Sequence, residues 1–446
     1  MTEYIFILGK NWLLSIAEMI VYLRDQNLTA HVNDHSRNAA IVEIDERLSD
    51  SQVVEIQEAL GGCFKIGRVI TKYNRSVAER AFPKQGRPVK RYRTELMECP
   101  WIDRIWSSPK GKKIKFGVST YPTFNVESTV SLRRLTLGLD EWAKRRLLAR
   151  GARRAAYYIY EGPDTRKKER PNTALWPQTI ARYNLMRPPN AEVLAVLTEG
   201  SLYIGKTVVV YDSRLQQYRD ESRPHISPKT STSPKLSRTL ITLSGAKPGD
   251  TILDPFCGSG TLLMEAAILG MKCIGIDIDG DAVQGARLNL RWLSSDLGEK
   301  LDFRIIKGDA RRAIEVVGKA VDAIAFEPVL GPVYTKRPER KDAEESILEL
   351  TKLYRDSLKG MEPCLGPDGR IAMTLPVINT TKGQVSIEID QIIKGTGFEI
   401  IRFLPRKSIR TQSTDKQLVI RPERRTLPER KMGQAVERTV IMLGKR

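Results

Sequence analysis

Histidine is almost missing from this chain: His31, His35 and His225 are the only three in 446 residues. So small a supply argues against a histidine-rich metal centre or a hydrolytic triad. Cysteine is also sparse. The five cysteines, at 63, 99, 257, 273 and 364, are odd in number, and no two form Cys-x-x-Cys. A disulfide framework and a zinc ribbon are both disfavoured, and no metal site is expected. Reduced thiols in a cytoplasm are the simplest reading. Long apolar runs are lacking as well. The first candidate, Tyr4 to Leu23, is interrupted by Lys10 and Glu18 and is preceded by Glu3 instead of a basic leader. Neither a secretory leader nor a membrane span is expected there.

Acidic residues are in deficit: 53 Asp+Glu against 73 Lys+Arg leave a formal +20. Such a surplus favours polyanions, chiefly nucleic acid; the plainer reading is a soluble basic surface. It gathers in two places. Residues 143–170 hold ten Lys/Arg against three Asp/Glu, a local +7, and residues 402–446 hold thirteen against four, a local +9. Hydrophobic residues at 41% are enough for packed cores and exclude wholesale disorder. At roughly 100–200 residues per domain, two to four domains are expected.

Residues 1–100 alternate short apolar runs with helical spacing: strands at 4–8, 40–44 and 64–70, helices at 12–23 and 52–60. This predicts a small α/β module. Residues 101–211 add strands at 113–119, 155–160, 192–199 and 201–210 around a basic helix at 131–150. Residues 212–235, rich in Ser, Pro, Arg and Lys, are expected as a linker. Residues 236–446 alternate strands and helices regularly, which predicts a doubly wound, mostly parallel sheet of seven strands.

The sharpest motif is Asp254-Pro-Phe-Cys-Gly-Ser-Gly-Thr261, between an expected strand and an expected helix. Gly258 and Gly260 allow a tight turn and close backbone approach to a ligand. The third glycine of a dinucleotide fingerprint is missing. An acid, Asp254, ends the first strand and suits a cationic ligand. Asp277 ends the second strand, where an acid accepts hydrogen bonds from ribose hydroxyls. Asp309 follows the third strand, placed to meet an adenine amino group. S-adenosyl-L-methionine combines a sulfonium, a ribose and an adenine, and the stretch resembles the class I methyltransferase domain, a Rossmann-like fold. The resemblance assigns Asp254, Pro255, Phe256, Gly258, Gly260, Thr261, Asp277, Ile278, Asp309 and Ala310 to that cofactor.

The fourth strand ends in Glu327-Pro328-Val329-Leu330. Amino methyltransferases of this fold carry Asp or Asn, then Pro-Pro-Tyr, at that place; the acceptor binds the target's amino group and the ring stacks on the base. Glu327 and Pro328 keep the acceptor and the first proline. Val329 and Leu330 depart from the pattern, so Tyr334 or Phe256 is left to supply a ring.

Further short matches lie in order along the chain: Leu8-Gly9-Lys10-Asn11, Leu60-Gly61-Gly62-Cys63-Phe64, Lys115–Ser119, Leu202–Thr207, Arg223-Pro224 and Ser233–Leu240. Together they resemble the tRNA guanine-10 N2-methyltransferase family. The resemblance implies a ferredoxin-like N-terminal domain, a THUMP-like region that grips tRNA, and catalysis on a guanine amino group drawn out of its stack. It places Leu330, Tyr334, Arg219, Arg223, Lys235 and Arg238 toward the RNA. Some members use a small activating subunit, which this sequence leaves open. Two other readings stay open: an amino methyltransferase of DNA or another RNA, and a catalytically silent tRNA-binding protein.

Overall fold

The computed structural model describes residues 1–98, 101–123, 129–160, 173–226, 232–430 and 433–446. Two sheets organise them. The first has eight strands: β1 (Thr2–Leu8), β2 (Ala30–His35), β3 (Ala39–Ile44), β4 (Cys63–Asn74), β5 (Lys113–Tyr121), β6 (Arg154–Tyr157), β7 (Ala191–Leu197) and β8 (Ser201–Val210), in the order β2-β3-β1-β4-β8-β7-β5-β6. β4 pairs with β8 along nearly its whole length, so the modules expected on either side of residue 100 share one continuous sheet.

The second sheet comprises β9 (Thr251–Asp254), β10 (Lys272–Asp277), β11 (Phe303–Lys307), β12 (Val321–Phe326), β13 (Leu365–Thr380), β14 (Gly383–Ser386), β15 (Phe398–Ile401), β16 (Leu427–Glu429) and β17 (Val436–Lys445). Its main path is seven strands, β11-β10-β9-β12-β13-β17-β15, with β14 and β16 pairing to one side. The first five strands of the path are parallel, while β17 runs antiparallel to β13 and β15. The order reverses between β9 and β12, and ligands of open α/β sheets bind at the carboxyl ends of strands at such a switch point.

The interval 212–235 is less of a linker than its composition suggests. It contains a helix, Ser213–Ser222, started by Asp212, whose side chain accepts from the Arg214 N–H. Tyr218 donates to Asp296 at 2.8 Å, and His225 exchanges hydrogen bonds with Asn289 through its backbone N–H and C=O, both 2.9 Å. A polar sequence hides this helix because its anchors are single side chains and no apolar stripe marks it.

The helix Pro234–Ser244 joins the two halves. Gly61 lies so close to it that a β-carbon there would sit 2.0 Å from the Lys235 carbonyl oxygen. Thr242 donates to the Ala59 carbonyl at 3.0 Å, and Arg238 donates to that of Glu58 while pairing with the buried Glu265. Beside them, Glu18 accepts from the backbone N–H groups of Gly61 and Gly62 at 2.7 and 2.9 Å. On the far side of the joint, Arg410 pairs with Glu43 at 2.5 Å, and His35 meets the Leu418 carbonyl at 2.7 Å.

Burial pushes the Glu18 carboxyl up to about 7, against the pull of the Gly61 and Gly62 N–H groups, Thr239 and Arg238. A carboxyl held above its unfolded value of 4.5 favours the fold when protonated. Its contribution is complete below the unfolded value and is lost as pH rises through the folded one, on the order of 3 kcal/mol in total. Urea unfolding should show wild-type stability falling between pH 4.5 and 7 relative to Glu18→Gln. Parallel pH curves for the two proteins would refute the assignment.

Candidate active site

Sequence-distant acids meet at the carboxyl edge of the second sheet. β9 delivers Asp254, which is buried and accepts the Phe256 N–H at 3.0 Å. Burial holds its carboxyl well above the usual carboxylate range; the Phe256 N–H opposes this, and the nearby Asp277 and Glu327 add to it. The glycine turn follows. Gly258 (φ 50°) and Gly260 (φ 82°) occupy left-handed conformations that favour glycine. A β-carbon on Gly260 would lie 3.1 Å from Ala286, whereas the space beside Gly258 is open. One glycine is thus needed for packing, and the other leaves backbone exposed to a ligand.

Asp277 ties this turn to β10. Its Oδ2 accepts the Gly258 N–H at 2.8 Å and its Oδ1 the Asp279 N–H at 3.0 Å. A carboxylate has about four lone-pair sites, so both oxygens keep acceptor capacity for hydroxyls. Ile278 beside it is 68% exposed, an apolar surface next to the acid. Thr261 opens the next helix and accepts from Arg223 at 2.8 Å. Asn289 braces the turn by donating to the Ser259 carbonyl at 2.8 Å.

Asp309 is placed differently from expectation. Arg311 grips both its oxygens, at 2.5 to 3.0 Å, and holds the carboxyl below its usual range. It also caps the following turn through the Arg311 N–H. Ala310 is buried behind it. The adenine contact expected of this carboxylate is therefore not pre-formed.

β12 delivers Glu327. Its carboxylate accepts a bidentate pair from Arg438 of β17, Nε at 2.6 Å and Nη2 at 3.1 Å, and the two side chains are only 8% and 13% exposed. Pro328 is buried, and the next carbonyl, of Val329, accepts from the Tyr354 hydroxyl at 2.5 Å. Phe256 stacks on Phe326 with centroids 5.5 Å apart, so its ring lies against the end of β12. Tyr334 is tied to Ser346 at 3.0 Å, and Leu330 is half-buried. Among the described residues no cluster of His, Cys, Asp and Glu could hold a metal ion, and no helix is long and apolar enough to cross a membrane.

The four basic residues assigned to RNA lie behind this edge. Arg219 faces Glu265 at 3.6 Å, and Arg238 is buried on the same acid. Arg223 is buried on Thr261, and Lys235 lies 3.9 Å from the centre of the Phe64 ring. Arg238 thus holds the joint, and Arg223 braces the helix that follows the glycine turn.

Sequence reasoning missed Arg438, Glu429 and Tyr354. Arg438 had a findable signal. An antiparallel last strand begins at the edge where the parallel strands end, so an arginine near its start stands beside the site.

The cofactor inferred from sequence fits this edge on three observations: the open space at Gly258, the spare acceptor capacity of Asp277 and the exposed Ile278. A family model described as "RMKL-like, methyltransferase domain" matches residues 222–382, and one described as "DNA methylase" matches residues 40–287. Both include the glycine turn. A tRNA (guanine(10)-N2)-dimethyltransferase of Methanothermobacter thermautotrophicus is 34% identical over 194 residues, 44% of this chain and 51% of that protein. A protein of the same name from Methanocaldococcus jannaschii is 32% identical over 182 residues, 39% and 50% of the two chains. The chain therefore spans about half the length of the curated relatives it matches. The crystal structure of TrmN from Thermus thermophilus covers all of both chains at 16% identity with a TM-score of 0.52, a likeness of fold.

Asp254 should ionise when a cation settles beside it. Calorimetric titration with S-adenosylmethionine at pH 6, in buffers of different ionisation enthalpy, should register release of up to about one proton, with affinity rising as pH rises. Asp254→Asn should abolish the release and weaken binding about tenfold or more. Wild-type heats independent of the buffer would show that Asp254 does not face the cation.

Proposed function

Because the chain belongs to the methyltransferase family whose "DNA methylase" model spans more than half of it, we propose that it is an S-adenosylmethionine-dependent tRNA methyltransferase acting on the exocyclic N2 amino group of a guanine, at a position like guanine 10. The observation that carries this reading is the convergence of Asp254, the open Gly258 turn, Asp277 and the Glu327-Pro328 strand end on one switch point. The naming of its 32–34% identical relatives as tRNA (guanine(10)-N2)-dimethyltransferases points to the substrate.

When bound, S-adenosylmethionine supplies an electrophilic methyl group on a sulfonium centre. Asp254, the Gly258 backbone and Asp277 would hold it, with Ile278 covering an apolar face. Glu327 takes an N–H of the target amino group, which aims the nitrogen lone pair at the methyl carbon; the Val329 carbonyl stands next in line. Catalysis here is chiefly positioning and charge placement, with no covalent work for the protein. Phe256, against Phe326, is the ring best placed to compensate for Leu330. We assign tRNA binding to residues 101–211, the THUMP-like part, and the cytoplasm as the place of action. The basic stretch 161–170 lies outside the described residues.

A second reading, a DNA amino methyltransferase, draws on the description of the longer family match. Competition between unmodified tRNA and duplex DNA for labelled methyl transfer separates the two. Expected are N2-methylated guanosine in digested tRNA and, for Glu327→Ala, a rate lower by about 100-fold or more with cofactor affinity within about twofold. Methyl groups found only in DNA would replace the substrate assignment, and normal turnover by Glu327→Ala would remove that residue from the mechanism.

A further inference from the structure

Arg438 reaches Glu327 from two strands away. It sits on β17 opposite Pro376 of β13, and its guanidinium crosses β13 to the end of β12. Nε and Nη2 are spent on Glu327. Nη1 turns the other way, 3.4 Å from Gln434 Oε1 and 3.8 Å from Oε2 of Glu429. Glu429 is buried, and that Oε2 has no hydrogen-bond partner. Its Oε1 accepts from Asn11 Nδ2 at 3.3 Å, and Asn11 Oδ1 accepts the Arg430 N–H at 3.1 Å. Asn11 immediately precedes the helix Trp12–Asp25 of the N-terminal sheet. One guanidinium fork therefore lies between two buried carboxylates, fully bonded to one and just out of reach of the other, whose far oxygen is fixed by the N-terminal half.

The fork makes a problem for catalysis and also answers it. Each Glu327 oxygen accepts one arm of the fork and keeps a further lone-pair site, but the bidentate grip fixes where those sites face, and the proposed reaction needs one of them turned to an amino N–H. A buried guanidinium cannot simply be released, because an unpaired buried charge is costly. It needs another acceptor close by, and Glu429 offers an unsatisfied oxygen. Resting on the reading that Glu327 receives the target amino group, we propose that Arg438 is a positioning residue that moves between Glu327 and Glu429. Seated on Glu327 it aims the carboxylate. Moved to Glu429 it lets the Glu327 carboxylate turn to the incoming amino group. The groups facing Glu327 are Arg438 on β17, Asp254 on β9 and Tyr354 on the helix Arg340–Met361, with Glu429 acting through Arg438.

The test is single-turnover methyl transfer to unmodified tRNA at one fixed pH, for wild type, Glu429→Gln, Arg438→Gln and Arg438→Lys. Calorimetry with S-adenosylhomocysteine and filter binding of tRNA report the two binding steps. Glu429→Gln should slow transfer about tenfold with both dissociation constants within about twofold. Arg438→Gln should slow transfer about tenfold or more with both dissociation constants within about twofold, because Glu327 loses the fork that aims it. Arg438→Lys should recover part of the rate. Wild-type transfer by Glu429→Gln or by Arg438→Gln overturns the proposal. A wild type that binds cofactor and methylates no RNA overturns the functional reading instead. The Glu327–Arg438 pairing is then decided by urea midpoints of Glu327→Gln, Arg438→Gln and the double variant, additive shifts counting against it.

Discussion

Carboxylates crowded at the dry edge of a sheet must each be compensated, and this constraint shapes the catalytic half. A buried unpaired charge is unfavourable enough that a group protonates before it tolerates isolation. Four acids at this edge meet the requirement in different ways. Asp277 is stabilised by two backbone N–H groups, which is why the glycine turn folds onto β10. Glu327 takes a bidentate guanidinium. Asp309 recruits the neighbouring Arg311. Asp254, with one N–H and no cation, is held toward its neutral form. The least compensated of these acids thus stands where a cationic ligand would be most favourable, and that vacancy of charge is itself a recognition element.

The same economy links the halves of the molecule. Arg238 and Arg219 share Glu265, Arg223 is buried on Thr261, and Asn289 grips both His225 and Ser259. The segment leading into the catalytic sheet is thereby fastened to the turn that would hold the cofactor. The joint at Gly61 leaves no room even for a β-carbon. Arg238 thus bonds both the N-terminal half, at the Glu58 carbonyl, and the helix after the glycine turn, at Glu265.

The regular part of the fold was legible because its strands are buried on both faces and read as continuous apolar runs, as in Ile274 to Ile276 and Ala323 to Phe326. The seven-strand path and the positions of Asp254, Asp277 and Glu327 follow from that rhythm together with the glycine turn. The polar elements were not legible. β2 is an edge strand carrying His31, Asn33 and Asp34, and its partners are Glu43 and a C-terminal loop more than 350 residues away. The helix Ser213–Ser222 buries no residue fully. Partnerships of single polar side chains leave no periodicity. For the same reason the sequence carries no sign that Arg219 and Arg238 face Glu265 and that Arg223 donates to Thr261.

Charge counted along the chain misleads in a related way. The stretch 402–446 carries a local +9 in sequence, but folding brings acids to it from elsewhere: Glu43 to Arg410, Asp390 to Arg425 and Glu327 to Arg438. In the other basic stretch, Arg146 and Arg150 converge on Asp103. A partner outside feels only what these pairs leave, and beyond about 10 Å it is screened at ordinary ionic strength. The surplus of +20 is conserved by such pairing and displaced by it, since every acid drawn to a basic stretch leaves cations uncompensated elsewhere. The surface that attracts a polyanion is therefore set by the cations that folding leaves without acids, which a count along the sequence does not give.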